Sequence, residues 1–114
     1  MFPPEELTPP LLVTVFLGAN DAALPDRSSA RQHVPLEDYK QNLAAIVTHV
    51  QHRGVQNIVL VTPPPVHEAG RVVYNQQRTG NLQPEPAERT NDVTKAYAEG
   101  CKEVTFLAAF YVWK

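Results

Sequence analysis

The chain has 114 residues, with 10 basic and 12 acidic side chains, a net charge of −2 and no basic stripe or run of like charge. That balance argues against nucleic acid or an anionic membrane as a partner, and the longest apolar stretches, residues 11–17 and 106–113, are too short to span a bilayer. The length allows one modest domain with a real core, and the 11 prolines, about twice the usual share, cluster as punctuation rather than as a disordered tract.

Residues 1–10 form a Pro- and Glu-rich lead-in. Two acids and two prolines stand where a secretion signal needs a basic end and an apolar stretch, so no signal is read and a cytoplasmic location is expected. Leu11-Leu12-Val13-Thr14-Val15-Phe16-Leu17 follows as an unbroken apolar, β-branched run. A run that does not alternate predicts a strand buried on both faces, as in a parallel sheet. It stops at Gly18-Ala19-Asn20-Asp21, and a polar loop continues to Val34. Pro35 suits the first position of a helix, and Glu37 and Asp38 suit its positive end. Leu36, Tyr39, Leu43, Ile46, Val47 and Val50 then recur at helical spacing until Gly54, predicting a helix over 35–53. Residues 55–62 (VQNIVLVT) read as a second buried strand, ended by Pro63-Pro64-Pro65. Residues 66–86 read as a long polar connection of ambiguous structure. Val93, Tyr97, Cys101 and Val104 line a second helix over 87–104, and the apolar end, 105–114, is a candidate third strand.

Strand, loop, helix, strand, loop, helix and a further strand make an α/β layer fold with a parallel sheet. Ligands in such folds bind at the carboxyl ends of the strands, which places 18–21 and 63–68 on the functional edge. The turn at 18–21 is the most informative segment. Its glycine allows a sharp turn and close approach of a ligand. The Asn20 carboxamide is a neutral donor suited to an oxyanion that develops during acyl transfer. The same residue types also make ordinary turns, so the tetrapeptide alone leaves both readings open.

Three ordered segments carry a more specific signal. Residues 12–50 (LVTVFLGANDAALPDRSSARQHVPLEDYKQNLAAIVTHV), 59–66 (VLVTPPPV) and 88–98 (ERTNDVTKAYA) resemble the middle of the GDSL-type (SGNH) ester hydrolases, and most of all the isoamyl-acetate-hydrolysing esterases. The likeness runs from about 10 to 103, leaving 105–114 as a divergent tail of a partial domain. It implies a three-layer, flavodoxin-like SGNH fold, represented here incompletely, and a small ester as substrate with no cofactor. It also implies that Asn20 donates to the oxyanion. Gly18 makes the turn, and Asp21 is expected to hold the loop by bonding backbone N–H groups.

The family's moving parts are not among these residues. The nucleophile belongs to a Gly-Asp-Ser, but the only serines here are Ser28 and Ser29, in the polar loop and without that lead. The glycine block that supplies a second oxyanion donor is missing too. The base belongs to an Asp-x-x-His, yet Asp21, Asp26, Asp38 and Asp92 are followed three residues on by Leu24, Ser29, Gln41 and Lys95. Nucleophile and base are therefore both expected to be absent, as in an incomplete gene model, an alternative transcript or a decayed copy.

The remaining chemistry-bearing side chains read as structural. His49 and His52, at i and i+3, lie off the apolar stripe with no third ligand in view, so a solvated face is expected and no metal. His33 should brace its loop, and His67 should be a surface loop residue near the functional edge. Cys101, the single cysteine, should be inert packing in a reducing compartment. The aromatic tail, Phe106, Phe110, Tyr111 and Trp113, reads as core or exposed patch. With the strands that precede it in the family missing, 11–17 becomes an exposed edge that invites self-association or pairing with a relative. The alternative to an esterase is therefore a non-catalytic, truncated isoform that binds or regulates through that edge.

Overall fold

The computed structural model describes residues 8–105 and the strand Tyr111–Trp113. Three parallel strands, β1 (Val13–Val15), β2 (Ile58–Val61) and β3 (Tyr111–Trp113), lie in that order in one sheet. β1 pairs with β2 through Val13–Ile58 and Val15–Leu60, and β2 with β3 through Val59–Tyr111 and Val61–Trp113. Between them run α1 (Leu36–His52), α2 (Glu68–Thr79) and α3 (Asn91–Val104). The α/β class, the parallel sheet and the terminal third strand agree with the sequence pattern.

The core forms where one sheet face meets α1 and α3. Val15, Ile58 and Leu60 from the strands pack with Tyr39, Leu43, Val47 and Val50 of α1 and Tyr97, Cys101 and Val104 of α3. These are the helical-spacing residues of the sequence. Gly100 allows the two helices to close on each other, because a β-carbon there would lie 3.0 Å from Leu36 Cδ1.

Four local expectations change. β1 covers only three residues of 11–17 and is not buried on both faces: Val15 is buried, Val13 half-buried and Thr14 exposed. Its apolar flanks, Leu11, Leu12, Phe16 and Leu17, are exposed because β1 is an edge strand with a neighbour on one side only among the described residues. Pro35 serves as the N-cap of α1, with φ −53° and ψ 145°, and the helix begins one residue later. α3 begins at Asn91 rather than near 87, because Thr90 is extended and its hydroxyl accepts from Val93 N. The connection over 66–86 contains α2, which ends at Gly80 in the left-handed region. Residues 1–7 of the lead-in and Phe106 and Phe110 of the tail lie outside the described residues.

Candidate active-site edge

The loop after β1 is built around Gly18. Its φ of +124° lies in the region that favours glycine, and a β-carbon would stand 2.8 Å from both Pro63 Cγ and the Tyr39 hydroxyl. The first proline of the β2 loop therefore packs directly on the β1 turn, bringing both carboxyl-end segments together. The turn closes through Ala22 N to Gly18 O and Ala23 N to Asn20 O, each 3.0 Å.

Two tyrosines clamp the ends of the 18–34 loop. Tyr39 of α1 donates to Leu17 O at 3.0 Å, and Tyr97 of α3 donates to Val34 O at 2.6 Å. Their rings touch, with centroids 5.4 Å apart. Burial pushes both phenols up, and the nearby Asp21 carboxylate adds to it in each. Both therefore act as neutral donors. Asp21 joins the loop to the start of α1 through its backbone carbonyl, which accepts from Val34 N at 3.1 Å. That bond does not involve the carboxylate, which was expected to make the loop's backbone contacts.

Asn20 is exposed at the rim of this turn. Its Oδ1 accepts from Arg89 Nη2 at 3.0 Å. Because a guanidinium only donates, the oxygen must be the atom facing it, which fixes the orientation of the amide. The Nδ2–H₂ group faces away from Arg89 and has no partner among the described residues.

Arg89 was not singled out by the sequence, yet it organises the edge. Its Nε donates to Ala19 O at 2.9 Å, its Nη2 also reaches Gln32 Oε1, and its Nη1 donates to Glu88 Oε1 at 2.7 Å. Glu88 is fully buried and takes further bonds from Arg71 Nε, at 2.6 Å, and from Asn75 Nδ2 of α2. Burial works to raise the Glu88 carboxyl, but its backbone N–H bond, Arg71 and Asn75 outweigh it and hold the group below the usual carboxylate range. The backbone adds Leu24 N to Glu88 O at 2.8 Å, and Arg27 Nη1 reaches Ala87 O at 3.1 Å.

The next residues hold the other loop. Asn91 and Val66 exchange two bonds, Val66 N to Asn91 Oδ1 at 2.8 Å and Asn91 Nδ2 to Val66 O at 2.9 Å. Glu88-Arg89-Thr90-Asn91 thus ties the β1 loop through Glu88 and Arg89 and the β2 loop through Asn91. An apolar groove runs beside it, lined by Phe16, Pro63, Pro64, Pro65, Thr94 and Ala98.

The other candidates fall as follows. His33 braces its loop through Nδ1 to Ala23 O, 2.7 Å. His67 is exposed, immediately before α2, with its ring over Gly70. His49 and His52 lie on the exposed face of α1. Cys101 is buried in the core, and burial pushes its thiol up. Ser28 and Ser29 lie in the loop immediately before the 3₁₀ turn Ala30–Gln32. Among the described residues, no three His, Cys, Asp or Glu side chains converge on a metal position, and no helix is long and apolar enough to cross a membrane.

A family model described as GDSL-like Lipase/Acylhydrolase matches residues 5–109. A GDSL esterase/lipase of Arabidopsis thaliana is 46% identical over 102 residues, covering 89% of this chain and 42% of that protein. A second from the same plant is 50% identical over 94 residues, 81% of this chain and 37% of its own length. The isoamyl acetate-hydrolyzing esterase 1 homolog of Bos taurus is 38% identical over 100 residues, 86% and 38% respectively. The chain thus spans about two fifths of the length of the curated relatives it matches.

Proposed function

The chain belongs to the GDSL-like lipase/acylhydrolase family, and from that premise we propose that Asn20 is an oxyanion donor of a carboxylic ester hydrolase. The substrates are short acyl esters such as acetates. A serine oxygen attacks the ester carbonyl while histidine takes its proton, and the Asn20 Nδ2–H₂ stabilises the tetrahedral oxyanion. Collapse expels the alcohol, which receives the proton, and water then releases the acyl group by the reverse sequence. Serine and histidine for this chemistry do not come from these 114 residues, so the chain by itself hydrolyses esters negligibly. The reading rests on one observation: Asn20 stands at the carboxyl end of β1 with its oxygen engaged and its N–H₂ open. In a polypeptide that carries these residues together with a Gly-Asp-Ser and an Asp-x-x-His block, Asn20→Ala should lower kcat about 10²–10³-fold. An unchanged kcat would remove Asn20 from the mechanism.

A second reading, a non-catalytic protein that pairs through its sheet edge, has separate support. Leu11 is 87% exposed and Phe16 59% exposed, flanking β1, which has a strand on one side only among the described residues. An apolar groove lined by Val13, Val15, Leu17 and Ile46 runs along the same edge. The occupant this surface fits best is a second copy of the chain, paired strand to strand.

A further inference from the structure

The network behind Asn20 bears on how a side chain on an exposed turn is held still. Arg89 is 9% exposed and Glu88 0%. Burying such a pair costs desolvation that its attraction does little more than offset, so the pair contributes little net stability. What it does contribute is geometry. One flat guanidinium grips the Ala19 carbonyl with Nε and the Asn20 carboxamide oxygen with Nη2, at 2.9 and 3.0 Å. Two successive residues of the turn are thereby fixed to one rigid fork. The fork is fixed in turn: Nη1 meets Glu88 Oε1, which Arg71 also holds, while Asn75 holds Glu88 Oε2. An exposed carboxamide ordinarily rotates among solvated conformers, and an oxyanion donor that must first be ordered gives up part of its effect.

We propose that Arg89 is the positioning residue for the Asn20 carboxamide, with Glu88 anchoring Arg89, so that the Nδ2–H₂ is aimed before any ester arrives. This rests on the reading of Asn20 as the oxyanion donor. The test is side-chain NMR relaxation on the whole chain labelled with ¹⁵N-asparagine, the Asn20 signal being identified by its loss in Asn20→Ala. In the unsubstituted protein the Asn20 Nδ2 order parameter should match rigid backbone, about 0.85, and in Arg89→Gln it should fall below about 0.6. Arg89→Lys should restore only part of the order, since one ammonium cannot replace the fork. Core signals of Tyr39 and Tyr97 report whether each variant keeps its fold. An order parameter that stays high in a folded Arg89→Gln overturns the proposal. So does a value below about 0.6 in the unsubstituted protein, a result that needs no variant to fold. Turnover is not involved, so the two claims fail separately: an ordered carboxamide with unchanged kcat for Asn20→Ala sinks the donor reading and leaves the Arg89 grip standing.

Discussion

Gly18 tolerates no side chain, for two reasons that act together. Its φ of +124° strains any L residue, and the added carbon would press on Pro63 and Tyr39 at 2.8 Å. Gly18→Ala should lose about 1–3 kcal/mol from backbone strain and a comparable amount from overpacking, read as a drop in urea midpoint. An unchanged midpoint would mean that Pro63 does not rest on the turn. The turn at Gly18 was legible in the sequence because a strand-ending Gly-x-Asn-Asp is a local pattern, whereas the role given to Asn20 came only from the resemblance of three ordered segments. Arg89 was not legible. Its contacts on the β1 loop lie 57 to 70 residues away, and nothing near position 89 announces a partner so distant.

At the scale of elements, the sequence was read best where burial is apolar. The stripes of α1 and α3 located those helices to within a few residues, and Pro63-Pro64-Pro65 fixed the end of β2. α2 was missed because it is short and mostly polar: the residue it buries is Asn75, which turns towards Glu88, while its apolar Val73 and Tyr74 stay exposed. The start of α3 was set too early for a related reason: residues 87–89 are buried as non-helical chain, bent at Glu88 and Arg89, that reaches the neighbouring loop. That buried carboxylate gives the joint between α2, α3 and the β1 loop an acid limit. Glu88 ionises more easily folded than unfolded, so its stabilisation is complete above the unfolded value of about 4.3 and is lost as pH falls through the lower folded value. Thermal melts followed below about pH 4.3 should fall more steeply for the unsubstituted protein than for Glu88→Gln. Parallel slopes would show that the network does not couple to folding.

For the whole molecule, the apolar run at 11–17 has the composition of a central strand, and with the preceding strands missing it was expected at the sheet edge, where β1 lies among the described residues. The residue types suit a neighbour on each side, and one side is open among the described residues. Sedimentation of the purified chain should therefore show concentration-dependent dimers, and Val13→Lys, which adds a charge on that edge, should shift them to monomer. A monomer at every concentration would set the pairing aside. The central proposal is narrower: Asn20 is a fixed oxyanion donor, and these residues by themselves do not hydrolyse an ester. Release of p-nitrophenol from its acetate ester by the purified chain, alongside Asn20→Ala, tests that most directly. Both rates should equal that of buffer, and turnover by the unsubstituted chain that disappears in Asn20→Ala would contradict the account.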